Sequence, residues 1–339
     1  LNYRLTLLFL WYLDTAAVVK HFDDFHEDQF DFHAYCVRKV TLRAYTEVLR
    51  FEDTLLSEDY YFRAASGTIG IYLHLHDHPA IMDEDKEPEY SKMSAAERKK
   101  TKAIARKKKN QADKKEADKK KKEEEEAQNG DKKGKPGADD EDPDGKELMK
   151  KDALEEAKNF SSILAKYSPK RLETWTLQYD VSIRRNKTLL ALQALFKMKS
   201  IAPNHSEYFS RIVDFAVKMP TFTDIPDAVK SVITQESATL LNQKTATEFV
   251  AEAADRARKD ATTDLPSRVA IAQALAKTSP SSTDAAASII VNGGVNTMGV
   301  SVETCRQALA ALKSLKAEAA TKEWIIAVKE RFPLLSDLS

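Results

Sequence analysis

Glycine and proline are scarce, 9 and 11 among 339 residues, too few for the repeated turns of an all-β sandwich or for a glycine-rich phosphate-binding architecture. Cysteine is scarcer. Cys36 and Cys305 stand far apart, and neither belongs to a CxxC pair or a Cys/His zinc spacing, so a disulfide framework is excluded and no metal is expected. Neither sign of charge is in excess. The 53 Lys and Arg face 53 Asp and Glu, which rules out a globally basic nucleic-acid binder, and no DNA partner is expected. Long hydrophobic runs are missing too. The one sustained run, Leu5 to Leu13, is about half the ~18 residues of a membrane-spanning helix, so no membrane partner is expected. With Arg4 before it and Ala16-Ala17 after it, that run imitates the apolar core of a signal peptide. A buried helix of a packed array fits the cysteine count and the lysine-rich middle better, and the expected compartment is the cytoplasm, with a minor nuclear pool. The opening at Leu1, without an initiator Met, is expected of a piece of a longer chain or an incomplete gene model.

What remains is helical. Leu42, Tyr45 and Leu49 fall at i, i+3 and i+7, and Phe62, Ala65, Ile69, Tyr72 and Leu73 repeat that stripe. Ser57-Glu58-Asp59 is a short polar connector and Pro79 closes the second helix, so the two form an antiparallel hairpin. A hairpin cannot bury both faces alone, and stacking it between neighbours is the logic of a helical-repeat solenoid. From Glu147 onward candidate helices run at about 149–166, 169–184, 187–200, 205–218, 225–240, 246–258, 265–278, 282–291, 301–317 and 319–330, with Asn292-Gly293-Gly294 breaking one connection. No segment alternates with period two. Pro169 and Pro203 lie one tetratricopeptide period apart, about 34 residues, whereas Pro280 falls out of register, so the repeats are degenerate. The expected fold is all-α, a tetratricopeptide-like solenoid interrupted by a long charged linker: helical hairpins over 1–82, linker over 83–146, C-terminal helices over 147–339.

The linker conceals a charge separation inside the balanced total. Lys92 to Lys122 carries 15 Lys and Arg against 4 Asp and Glu, and Glu123 to Gly145 carries 3 against 10. Ser94-Ala95-Ala96-Glu97 has capping-box spacing and opens a helix of good helix formers that stops at Asn129-Gly130. At 1.5 Å per residue that helix would reach roughly 50 Å. Polar all round, it has no face to dock on the body. The stretch from Gly134 to Gly137 and the acidic Asp139 to Asp144 read as disordered.

Sites for chemistry are few. An acetyl-CoA pyrophosphate loop has its nearest approach at Arg63-Ala64-Ala65-Ser66-Gly67-Thr68-Ile69-Gly70. That stretch lacks a glycine at the fourth place, follows no strand and lies on an amphipathic helix, where small residues let a neighbouring helix come close. His74, His76 and His78 form an HxHxH string without a third ligand at matching spacing, and with Pro79 next they read as histidines favouring a helix C-terminus. His33 and Cys36, at i and i+3 on an apolar face, read as packing rather than as base and nucleophile. No catalytic residue and no cofactor are therefore expected. The basic run differs: Lys99, Lys100, Lys102, Arg106, Lys107, Lys108 and Lys109 crowd about three turns of one helix. Charges so dense repel one another unless an anion is near. They read either as a solvated spacer or nuclear-localisation-like cluster, or as a phosphate-binding element working by counterion release. With no aromatic residue interleaved, any RNA contact would be to backbone and shape rather than stacked bases.

The residues Asp28-Gln29-Phe30-Asp31-Phe32-His33-Ala34-Tyr35-Cys36-Val37-Arg38-Lys39-Val40-Thr41-Leu42-Arg43-Ala44-Tyr45 resemble the auxiliary subunit of the eukaryotic NatA N-terminal acetyltransferase. The likeness continues through Leu49 to Asp53, Tyr61 to Ala65, Ile71-Tyr72-Leu73 and Asp77-His78-Pro79 into the lysine- and glutamate-rich linker. It is fainter afterwards, at Leu172-Glu173-Thr174, Pro203-Asn204-His205, Leu265-Pro266-Ser267-Arg268 and Ser279-Pro280-Ser281-Ser282. Residues 1 to about 18 do not share it, and the family's N-terminal superhelix is absent. The resemblance implies a noncatalytic scaffold: helix pairs hold the catalytic acetyltransferase subunit, and a basic element anchors the complex on ribosomal RNA for co-translational acetylation. A helical-repeat adaptor unrelated to acetylation, with the linker as a spacer, is the alternative.

Overall fold

A computed structural model describes residues 15, 17–22, 42–79, 152–222 and 225–335, and among them every regular element is helical. They are α1 (Leu42–Thr54), α2 (Asp59–Asp77), α3 (Ala153–Tyr167), α4 (Leu172–Arg184), α5 (Thr188–Ile201), α6 (Ser206–Lys218), α7 (Asp227–Leu240), α8 (Ala246–Lys259), α9 (Leu265–Thr278), α10 (Thr283–Gly293), α11 (Val302–Ser314) and α12 (Glu318–Arg331), with single 3₁₀ turns at Leu55–Ser57, Met219–Thr221 and Pro280–Ser282. The linker expected over 83–146 lies outside the described residues.

The caps explain where the helices begin. Thr245 and Glu248 form a reciprocal capping box on α8, and Ser301 and Thr304 form another on α11. The Asp264 carboxylate accepts from the Ser267 N–H (3.0 Å) to start α9, with Pro266 in its first turn. His205 Nδ1 accepts from the Glu207 N–H (3.1 Å) to start α6.

Three helix ends share one device. After α4, α7 and α11 the chain enters the left-handed region at Asn186 (φ 56), Asn242 (φ 55) and Lys316 (φ 56). In each case two backbone bonds close the end, Lys187 N–H to Ser182 O with Asn186 N–H to Ile183 O, and their equivalents after the other two helices. This is the Schellman arrangement, built without glycine. It also ends α11 at Ser314, three residues before the end expected from the apolar pattern. At Gly294 (φ 66) a glycine does close α10, where the Asn292-Gly293-Gly294 break was expected.

By contacts the chain divides into two units, Leu1–Leu73 with Leu154–Ser339, and His74–Ala153. In the first, segments from before and after the linker complete one another. The Tyr72 and Phe160 rings stack with centroids 6.4 Å apart. The Arg171 guanidinium pairs with Asp59 and lies 4.4 Å over the Phe62 ring, and Phe22 meets Tyr61 edge-on at 5.3 Å.

From α4 to α12 one apolar core runs continuously, with Leu195, Met198, Ile212, Phe215, Leu265, Ile289 and Leu312 all but fully buried. Sequence neighbours pack as hairpins (α4 with α5, α8 with α9, α11 with α12), and helices two apart also touch (α4 with α6, α6 with α8, α8 with α10, α10 with α12). That double adjacency is a stacked helical-repeat solenoid. Pro169 and Pro203 sit in the turns on either side of the α4–α5 hairpin, so their spacing does measure one repeat. α9 packs on α6, α8, α10 and α11, which is why Val269, Ala270, Ile271, Ala272, Ala274 and Leu275 are buried and only a narrow strip at Gln273 and Lys277 stays exposed.

Candidate functional site

The structure sorts the sequence-marked residues sharply. The stretch Arg63 to Gly70 lies inside α2 with no strand before it, so no pyrophosphate loop exists there. Ala64, Ala65 and Thr68 are buried, as helix packing requires, but Gly70 is exposed and a methyl group there would meet nothing within 4 Å. Close approach therefore uses the alanines and not that glycine. His74 and His78 stack with ring centroids 4.4 Å apart, and His78 Nδ1 lies 3.1 Å from the His74 carbonyl oxygen at the end of α2. That ring adds a second donor to a helix-end carbonyl that already accepts the His78 N–H (3.0 Å). Among the described residues no group of three His, Cys, Asp or Glu side chains is placed to hold a metal, and no helix is long and apolar enough to cross a membrane. His33, Cys36 and the basic run Lys99, Lys100, Lys102, Arg106, Lys107, Lys108 and Lys109 lie outside the described residues.

Two polar clusters that the sequence did not announce tie the array together. In the first, the Tyr179 hydroxyl on α4 donates to Asp214 Oδ2 on α6 (3.1 Å), and Lys218 (2.8 Å) and Lys277 of α9 (3.6 Å) flank the same carboxylate. Burial alone would raise the Asp214 carboxyl, but Lys218, Lys277 and the Tyr179 hydroxyl outweigh it and hold the group below the usual aspartate range. Tyr179, buried and facing Asp214, is pushed far above a normal phenol. Beside it Arg211 bridges Asp180 (2.8 Å) and Glu207.

The second cluster is Arg268, a guanidinium only 3% exposed on α9. It donates to the carbonyls of Thr263 (3.0 Å), Asp260 (2.9 Å) and Ile289 (3.3 Å). Asp260 closes α8 and Ile289 lies in the last turns of α10, so one cation answers two negative helix ends.

A cleft of about 570 Å³ is walled by the α5–α6 turn, α8 and the start of α9. Phe209 and Phe249 stack on its wall with centroids 5.6 Å apart. Tyr208, only 4% exposed, lines it, and its hydroxyl has no hydrogen-bond partner among the described residues. Burial pushes this phenol up to about 12. Taken together the arrangement presents helix faces, a cleft and load-carrying polar links.

The class is thus an all-α helical-repeat protein. Residues 14–198 match the family model for the N-terminal acetyltransferase A auxiliary subunit. The chain is 42% identical over 203 residues to the N-terminal acetyltransferase A complex auxiliary subunit NAA15 of Arabidopsis thaliana, covering 59% of this chain and 22% of that one. It is 36% identical over 235 residues to the human N-alpha-acetyltransferase 16, NatA auxiliary subunit, covering 67% and 27%. A solved structure of Naa15/Naa10 bound to HypK-THB aligns with a TM-score of 0.46 at 25% identity, over 66% of this chain and 25% of that one. The chain belongs to the NatA auxiliary-subunit family, and it spans about a quarter of the length of these relatives.

Proposed function

We propose that the chain is a noncatalytic scaffold segment of an N-terminal acetyltransferase complex. It holds the catalytic subunit on its helical array and, through Lys99, Lys100, Lys102, Arg106, Lys107, Lys108 and Lys109, grips ribosomal RNA phosphates in the cytoplasm, with a minor nuclear pool. The observation that carries this reading is the family match over residues 14–198, which includes the whole linker. Its contribution is positional: tethering raises the effective concentration of the acetyltransferase at emerging N-termini. The basic run supplies a salt-sensitive, sequence-independent grip. The test is affinity purification of the tagged chain from cells making the catalytic subunit and intact ribosomes. Co-purification of both supports the scaffold. Recovery of neither, with other partners in their place, favours the adaptor reading.

A further inference from the structure

We propose that His74 and His78, at the C-terminal end of α2, form a two-imidazole site for a borderline divalent transition-metal ion, with Cu(II) held more tightly than Ni(II) or Zn(II). Histidines at i and i+4 share one face of a helix, the spacing by which a single turn chelates such an ion. The turn is intact to its end, since the His78 N–H bonds to the His74 carbonyl oxygen (3.0 Å). The two rings stand side by side, with centroids 4.4 Å apart and planes 35° from parallel. Imidazole nitrogens sit about 2.0–2.1 Å from a bound zinc ion, so rings held this close can share one ion by side-chain rotation alone.

Hydrogen bonding sets the His78 ring for a ligand role. Its Nδ1 lies 3.1 Å from the His74 carbonyl oxygen. A carbonyl only accepts, so Nδ1 carries the proton, and in the neutral ring Nε2 keeps a bare lone pair. Metal-bound histidines are oriented by the same kind of bond, from the other ring nitrogen to a carbonyl or carboxylate. Both rings keep surface in water, His74 partly and His78 openly, so an ion reaches them without opening the fold. The negative end of the α2 dipole favours a cation there. His76, two residues from each, belongs to another face of the helix, and its Nδ1 lies 3.1 Å from the adjacent Asp77 Oδ1. Nitrogen ligands select a borderline ion over Mg(II) or Ca(II), which take oxygen. Two protein ligands leave the other positions to water, which makes this an exchangeable site and not the closed four-ligand set of a structural zinc. It draws on neither the basic run nor the helical array.

The test titrates the full, untagged chain with Cu(II) near neutral pH and reads the electron paramagnetic resonance of the bound ion, whose nitrogen couplings count the imidazole ligands. One ion held by two imidazoles is expected, with affinity falling in acid because both rings must be neutral to bind. His74→Gln and His78→Gln should each remove one nitrogen coupling and weaken binding by at least the roughly tenfold cost of losing an outer-shell partner. His76→Gln should change neither. Chelation by an unwound HxHxH segment would use all three rings, so equal losses in the three variants overturn the proposal. Parental affinity in the variant lacking both His74 and His78 also overturns it, since His21, His26, His33 or His205 would then hold the ion. A second readout needs no variant: hydrogen exchange at the His78 amide should slow when Cu(II) is added, because the ion ties the two ends of that turn together. Exchange that is unchanged by metal overturns the proposal as well.

Discussion

The Arg268 side chain lies against the backbone of Gly293: a Cβ added at Gly293 would fall 2.5 Å from Arg268 Cδ and 2.7 Å from its Nε. The guanidinium cannot swing aside, because three carbonyls from two other segments hold it. Gly293→Ala, a change that normally favours a helix, should therefore destabilise the array by about 1–3 kcal/mol. Chemical denaturation reads this directly, and a neutral or stabilising outcome would show that the arginine is free to move. Arg268→Met should cost at least as much, since it strips the Thr263 carbonyl of its donor and leaves the Asp260 carbonyl only the long bond from the Thr263 N–H (3.4 Å).

Lys316 is a lysine where the backbone asks for glycine. Its φ of 56 costs a side-chain-bearing residue about 1 kcal/mol, which glycine avoids. Lys316→Gly should raise the thermal midpoint by a few degrees. Lys316→Val should lower it, as a β-branched residue is worst there.

Acid should loosen the α4–α6–α9 junction. Asp214 is held below its unfolded value, near 3.9 for an aspartate. The stability it contributes is thus full above about pH 4 and is lost as pH falls through the depressed folded value. Asp214→Asn should be less stable at neutral pH and flatter than the parent in melting profiles between about pH 4 and pH 2. At the alkaline end the sign reverses. Tyr208, pushed up to about 12, contributes stability present below its unfolded value, near 10, and lost as pH rises from there through the folded value. Tyr208→Phe should shallow that limb.

Replacing Lys99, Lys100, Lys102, Arg106, Lys107, Lys108 and Lys109 with Glu should abolish ribosome co-sedimentation at low salt. The parent should lose it progressively as salt rises, in the log-linear manner of counterion release. Unchanged pelleting would remove the anchoring role and leave the run as a spacer.

Helices such as α6 and α8 were legible because each carries an apolar stripe and a capped start, whereas α9, packed on four neighbours, is apolar on most of its faces. The starts expected at about 246 and 265 are those found for α8 and α9. The end of α11 was misread because its stop is a lysine in the left-handed region, and nothing in the residue type announces that conformation. The cleft and the polar clusters were not legible at all. Tyr179, Asp214 and Lys277 come from three helices, and Arg268 on a helix reads as solvated surface until its neighbours are known. The NatA-type likeness rested on particular residues around α1 and α2, which periodicity alone does not supply.

The Tyr72–Phe160 stack has a consequence for how the chain is made. Translation proceeds at about 5–20 residues per second, so Phe160 follows Tyr72 out of the peptidyl-transferase centre by an interval on the order of 4–18 s. For that time α2 exists without the helix that covers it. Until then the Tyr72 side of α2 lacks its Phe160 partner, and slowing codons placed downstream of α2 would lengthen its exposure.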